Sequence, residues 1–450
     1  MSSSLTSADE LFLKSMYQRL HEEPLETSKP ADNELYEPVY QRLAEADDPE
    51  ADPVYHLERH IKFRDVESIQ FFSGFKGSGK TTELLRLKQR LSQAGYIVLY
   101  ANALDYINPS GILDITDLLL SVASALGDKL RDPAVLGEDL KVPSFGDRME
   151  SFFKSIKVEP GLNLAIPWLS LKAEMKESPS FRQRLQTALA SHINVLKAEV
   201  NRFVQDCIKA VDKHQEDMKA GNRSIVFLFD SLEQIRGGSS TESLVQESVE
   251  KVFTNHLGKL KFPYLHMVYT VPPWLKFVAS TIGSMVVLPS VRQWGRDPAR
   301  TPYEPGQDAL RGVLRRRFTE AGCVRLFGSK DLSTVQPLID HCGGHFRDLL
   351  RLVSQALLTT RSLPISTRVV EHAIQKVRSD FLPLLVSDAQ WLKRISDTRA
   401  ADPRSPEDRT RLIRFLDGHM VLYLRNGHEW YDVHPLIREE VAAIVKRNPD

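Results

Sequence analysis

The sequence predicts an α/β chain built on a parallel sheet, with a helical insertion inside it and two smaller subdomains after it. Three observations carry this. From Ser68 onward short apolar runs alternate with helical patterns, the signature of strands joined by crossover helices. One run, Ser224-Ile-Val-Phe-Leu-Phe-Asp230, is nearly continuous in apolar residues, as a central strand covered on both faces must be. Near the C-terminus helical patterns give way to two short strands around Asn426-Gly427, and helices followed by a hairpin predict a winged helix.

In chain order, residues 1–53 form an acidic arm; through residue 60 the chain carries fourteen Asp/Glu against five Lys/Arg. A short helical pattern runs from Leu11 to Leu20. The segment Asp32 to Pro53, rich in Asp, Glu, Pro and Ala and without apolar periodicity, is expected to be an exposed linker. Tyr-Gln-Arg-Leu occurs at Tyr17 and again at Tyr40, an echo too short to establish a repeat. Residues 54–296 hold the sheet, with strands at Ser68–Ser73, Tyr96–Asn102, Ser224–Asp230, Tyr264–Thr270 and Ser284–Leu288 and a helix at Thr81–Gln93. More than a hundred residues separate the second strand from the third, too many for one crossover, which places an insertion at about 103–222. Within it Leu162, Leu164 and Ile166 alternate with smaller or polar residues, and Leu169, Leu171 and Ala173 continue the alternation. A small hairpin or edge strand is expected there, followed by one or two long charged helices from Phe181 to Lys219. Residues 297–380 read as a helical subdomain. Residues 381–450 read as the winged helix, with a polar loop at Ala400–Asp408 and strands at Met420–Leu424 and Glu429–Val433.

At 450 residues the chain has room for about three domains. Apolar residues at 42% and charged ones at 26% describe an ordinary soluble globular protein, which excludes a fibre or a disordered tail. Fifty-nine basic and fifty-nine acidic side chains cancel, so binding to nucleic acid or an anionic membrane would need a local patch. Cys207, Cys323 and Cys342 are an odd set, with no Cys-x-x-Cys or Cys/His ligand spacing; a reducing cytoplasm is the expected compartment. No basic-then-apolar leader and no run of eighteen apolar residues is present, so neither secretion nor membrane spanning is expected.

The chemistry begins at Gly74-Phe-Lys-Gly-Ser-Gly-Lys-Thr81, which fits G-x-x-x-x-G-K-[ST] and sits directly after a strand and at the opening of a helix. Gly74, Gly77 and Gly79 let the backbone curl so that successive N–H groups, those of Lys76, Ser78 and Thr82 among them, face an anion. The helix N-terminus adds its dipole, Lys80 reaches β- and γ-phosphates, and Thr81 ligates Mg²⁺. Asp230 ends the most apolar strand, at the sheet edge where ligands of open α/β sheets bind, and is the candidate second Mg²⁺ residue. Glu233 follows three residues later, as either a base that polarises water or a helix-capping carboxylate. Thr270 ends the next strand, as either a γ-phosphate sensor or a plain strand-end hydroxyl. Arg292, Arg296 and Arg300 follow the last strand, as an arginine finger or a solvated basic loop. No Asn-Lys-x-Asp guanine-reading motif occurs, which points to ATP.

This order of phosphate loop, Asp230 strand, Thr270 strand, helical subdomain and winged helix resembles the AAA+ superfamily and its STAND signal-transduction relatives, with a layout shared by origin-recognition ATPases. Gly343-Gly-His-Phe-Arg-Asp-Leu-Leu350 is similar to the Gly-Gly-x-Pro-Arg-x-Leu segment that opens a lid helix in these families, with Phe346 in place of proline. The resemblance implies that Arg347 reaches the γ-phosphate. Val433-His-Pro-Leu-Ile437 is similar to the Met-His-Asp-Leu segment of STAND winged helices, which implies that His434 touches the β-phosphate of bound ADP. The same resemblance implies an ATP/ADP- and Mg²⁺-dependent ATPase switch, forming a homo-oligomer or engaging a separate effector or sensor protein, in a bacterial regulatory or antiviral defence system. The alternative is a DNA-handling ATPase whose winged helix binds duplex. Arg409, Arg411 and Arg414 precede the hairpin, but Asp408 and Asp417 interrupt them and only Arg425 marks the wing tip.

Overall fold

The computed structural model describes residues 5–46, 49–156, 168–219, 223–238, 241–278 and 285–449. They fall into two compact units, Tyr55–Ser73 with Leu87–Val286, and Met1–Val54 with Gly74–Arg86 and Val287–Asp450.

The sheet has five strands: β1 (Ser68–Gly74), β2 (Ile97–Asn102), β3 (Ile225–Asp230), β4 (Leu265–Val271) and β5 (Met285–Leu288). Their order is β2-β3-β4-β1-β5. The pairs β2–β3, β3–β4 and β4–β1 are parallel, in a register that sets Asn102 beside Asp230 and Phe72 beside Thr270. Every residue of β3 and β4 is buried, so the apolar run Ile225–Phe229 is a strand covered on both faces, as its composition requires. Phe71, Phe227, Phe229 and Tyr269 meet ring to ring within this core.

The insertion is helical. Asp114 caps Ile115–Leu130, accepting from the Thr116 N–H while Asp117 reaches back to the Asp114 N–H. Nearly every residue of this helix is buried, as expected for one apolar all round. Phe145–Ser155, Pro179–Leu189 and Ile193–Asp217 complete the group, the last two being the charged helices expected between Phe181 and Lys219. The expected extended stretch is corrected here: Trp168–Glu177 is a helix, and Leu162, Leu164 and Ile166 lie outside the described residues. Alternation misleads because Leu169 is 79% exposed, while the buried pair Leu171 and Met175 is spaced four apart, a helical face.

In the other unit the arm is ordered, which corrects the expected linker. Pro30–Leu35 and Val39–Ala46 are helices, and Val39, Tyr40 and Leu43 bury one face of the second against the helical segment Glu304–Phe327, which is kinked at Thr319. Arg42 fixes the contact, bridging Glu37 and, at 2.7 Å, Asp308. Tyr17 is 43% exposed and Tyr40 is 1% exposed, so the two Tyr-Gln-Arg-Leu copies share no environment. After Gln336–His341, Phe346–Thr359 and Thr367–Arg378 come Val386–Thr398, Pro406–Asp417, the hairpin β6 (Val421–Asn426) and β7 (His428–Val433), and Pro435–Arg447. Pairing runs to Asn426 opposite His428, leaving Gly427 alone at the tip with φ 76°, a tighter turn than a two-residue Asn-Gly loop.

One buried carboxylate pins the hairpin. Asp432, fully buried, accepts from Arg300 Nε and Nη2 at 2.9 and 3.0 Å, from Trp294 Nε1 at 3.1 Å, and from Arg438 and Arg399 at 3.3 and 3.4 Å. Around it Trp294, Leu422, Leu424 and Trp430 form an apolar cluster.

Candidate nucleotide site

The loop Gly74–Thr81 leaves the end of β1 and runs into the helix Lys80–Gln93. Gly77 and Gly79 have φ of 85° and 91°, the left-handed conformations that turn successive N–H groups to one side of the loop. The loop braces itself: Ser78 Oγ donates to the Phe75 carbonyl at 2.7 Å and Lys80 Nζ to the same oxygen at 3.1 Å. Lys76 is exposed and Lys80 buried.

The ordered arm grips this segment. Tyr40 Oη lies between the carbonyl oxygens of Ser78 and Pro289, at 3.2 and 3.0 Å. Tyr36 Oη donates to Glu83 at 3.0 Å, and Arg86 pairs with Asp52. The Thr82 hydroxyl accepts from the Leu25 N–H at 3.1 Å and so faces the arm, leaving its backbone N–H as the group expected at the nucleotide.

Arg347 lies directly on the loop. Its backbone N–H donates to the Gly77 carbonyl at 3.2 Å, and its Nε pairs with Glu22 at 2.9 Å. A Cβ at Gly77 would stand 2.6 Å from Arg347 Cβ and 3.0 Å from His345 Cε1, so only glycine permits this approach. Phe346, standing where related lid segments carry proline, closes on Gly79. Gly344, with φ 72°, plays the same part on the lid side: a Cβ there would fall 1.8 Å from the Val291 carbonyl oxygen.

His434 is fully buried. Its Nδ1 accepts from the Leu436 N–H at 3.3 Å, its ring stacks on Phe381, and its Nε2 lies 3.4 Å from Asp348 Oδ2. Two imidazoles reach the loop: His419, edge-on to Phe75 with ring centroids 6.1 Å apart, and His345, which the sequence alone does not single out. Its signal is its place inside the Gly-Gly-x-x-Arg segment; what hides it is that His419 and Asp348, its neighbours in space, are distant or unremarkable in sequence.

In the sheet unit, Asp230 is fully buried and accepts from Tyr100 Oη at 2.9 Å and from the Ser231 N–H at 2.7 Å. Ser231 has φ 75°, an unusual conformation for a side-chain-bearing residue, which turns the chain sharply after Asp230 into the short helical turn carrying Glu233. Thr270 Oγ1 accepts from the Leu232 N–H at 3.2 Å and so supports that turn. Of the arginines after β5, Arg292 stacks on Tyr303 at 3.5 Å and Arg300 is held by Asp432, which removes both from a solvated loop; Arg296 is exposed.

A phosphate chain fits this loop on the structure's own terms: a glycine-made cradle at a helix N-terminus, with a lysine at its rim. No helix is long and apolar enough to cross a membrane among the described residues. The chain matches no protein-family model and no curated protein. Among solved structures it is similar to the Aeropyrum pernix ORC2 protein in its ADPNP–ADP complexes, at 13% identity over 88% of this chain and 93% of that one, with a TM-score of 0.34. Cdc6p from Pyrobaculum aerophilum is 11% identical over 92% and 96% of the two chains, with a TM-score of 0.35. The Thermotoga maritima RuvB Holliday junction branch migration motor is 11% identical over 88% and 94%, with a TM-score of 0.34. The fold class, an α/β parallel sheet carrying a phosphate loop, stands on the strand order and loop geometry themselves.

Proposed function

We propose that this chain is an ATP-binding and ATP-hydrolysing switch of the STAND/AAA+ kind, whose nucleotide state sets its conformation and its assembly with itself or a separate effector or sensor. The observation that carries the reading is the seating of Arg347 on Gly77. A segment shaped to bind phosphate is in backbone contact with the helix Phe346–Thr359, so what occupies the loop acts directly on that helix.

In this reading the loop N–H groups from Gly74 to Thr82 and Lys80 hold the β- and γ-phosphates, and Thr81 and Asp230 hold Mg²⁺. Bound Mg²⁺–ATP supplies a phosphoryl group open to attack by water. Glu233 orients and deprotonates that water, Thr270 positions the Glu233 turn, and Arg347 stabilises charge on the γ-phosphate. A regulatory or antiviral defence role is the biological setting that the family resemblance supports.

The DNA-handling alternative has less behind it. Arg411 and Arg414 share Asp388 and Arg425 pairs with Glu50, which reduces the positive charge near the hairpin.

The test compares wild type with Lys80→Ala for co-purified nucleotide, Mg²⁺-dependent ATP hydrolysis, and mass by light scattering in ATP and in ADP. Retained ADP, slow turnover, and mass growth confined to wild type in ATP are expected. Absence of nucleotide binding in wild type would overturn the reading, and turnover stimulated by duplex DNA would replace it with the alternative.

A further inference from the structure

Beside the phosphate loop, and within the same unit, three imidazoles converge on one carboxylate oxygen. Asp348 Oδ2 lies 3.2 Å from His345 Nδ1, 3.4 Å from His434 Nε2 and 3.9 Å from His419 Nδ1. The four residues come from the start of the helix Phe346–Thr359, the turn before β6 and the turn after β7. His345, Asp348 and His434 are all but completely buried, and His419 is partly exposed. Both ring nitrogens of His345, Asp348 Oδ2 and His434 Nε2 are buried with no aligned hydrogen-bond partner, an unusual concentration of unmatched polar atoms in one place.

We infer that His345, Asp348 and His419 form a binding site for a divalent transition-metal ion of the zinc class. These three residues each offer a ligand atom, all within 4.8 Å of one another. A tetrahedral ion with bonds of about 2.0–2.1 Å has ligands roughly 3.3 Å apart, close to the separations from Asp348 Oδ2. His419, the most exposed of the three at 13%, stacks at a tilt on His345 with ring centroids 4.4 Å apart, and a turn of its ring would bring Nδ1 in from 3.9 Å.

His434 belongs to the second layer. Its Nδ1 accepts a backbone hydrogen bond, so its neutral tautomer carries the proton on Nε2, facing Asp348. An outer imidazole holding a ligating carboxylate is the support such sites need.

The mixed imidazole and carboxylate set favours zinc, cobalt or nickel over Mg²⁺. An ion there would tie the start of the lid helix to the turn before the hairpin, one residue from the phenylalanine that touches the loop at Gly79. The site shares no residue with the Mg²⁺ position proposed at Thr81 and Asp230, and it stands whether or not the chain hydrolyses ATP.

The test uses full-length, metal-stripped, nucleotide-free protein in excess Mg²⁺, titrated with Co²⁺ and then Zn²⁺. The expected result is one cobalt per chain with the intense visible bands of tetrahedral coordination, displaced by one equivalent of zinc. His419→Asn, altering the least buried ligand, should lose those bands while keeping the far-ultraviolet circular dichroism of wild type; Thr81→Ala should keep them. Failure of wild type to take up stoichiometric cobalt or zinc would overturn the inference without reference to any variant, as would bands that persist unchanged in His345→Asn/His419→Asn.

Discussion

The buried carboxylate at Asp432 offers the sharpest test of how the C-terminal hairpin is held. Asp432→Ala removes one charge and leaves Arg300, Arg399 and Arg438 facing one another, with the Trp294 indole N–H unmatched. Removing one partner from a buried ion pair costs about 3–5 kcal/mol, and here three cations lose their common acceptor, so the upper half of that range is expected. For a unit of this size each kcal/mol moves the melting temperature by roughly 2–4 °C, which makes the expected fall on the order of 10 °C or more. Arg300→Ala, by contrast, leaves Asp432 with two other guanidinium groups and should cost about 1–2 kcal/mol, with ATP hydrolysis per folded molecule unchanged. Asp432→Asn, which keeps the shape and one acceptor oxygen, should fall between. Trp294 and Trp430 flank the carboxylate, so urea unfolding followed by tryptophan fluorescence reports on the right region. An Asp432→Ala midpoint shifted by less than about 1 kcal/mol would refute the reasoning. So would an Arg300→Ala enzyme that is fully stable but inactive, since Arg300 would then act as the finger its position after β5 suggests.

Buried groups elsewhere give two more expected outcomes. Tyr40→Phe deprives the Ser78 and Pro289 carbonyls of their shared donor; a loss of about 1 kcal/mol in stability and several-fold weaker nucleotide binding are expected, measured by calorimetry. Burial raises Asp117 to about 7, above its unfolded value of 3.8, with Arg182 partly offsetting it. Its contribution to stability is therefore fully present below pH 4 and is lost as pH rises toward 7, by up to about 4 kcal/mol. Asp117→Asn, which keeps an acceptor for Gln186 but cannot ionise, should flatten that slope and raise the melting temperature at pH 8; an unchanged pH profile would show that Asp117 is ionised in the folded protein.

Local chemistry makes much of this molecule legible without coordinates. A strand covered on both faces must be apolar throughout, so Ile225–Phe229 announces itself, and a phosphate loop needs glycines at fixed spacing, so Gly74–Thr81 does too. Arg347 is legible because its Gly-Gly-x-x-Arg context repeats a local pattern. The acidic arm misleads because composition averages over a segment, whereas the burial of Val39, Tyr40 and Leu43 depends on a partner helix hundreds of residues away. The trace from Leu169 to Ala173 fails for a related reason: a few apolar residues fit both periods, and only the neighbours decide which face is covered.

What only the tertiary structure decided are the relations among distant residues. The sheet order places β4, and with it Thr270, between the strands of the phosphate loop and of Asp230, which no local pattern encodes. The cluster of His345, Asp348, His419 and His434 draws on three turns far apart in the chain, and the fate of Arg300 was settled by Asp432 on β7. Sequence patterns report periodicities within a few turns of backbone, while convergence of side chains depends on how the segments pack, and that packing is the sum of many weak contacts that no short stretch of chain contains.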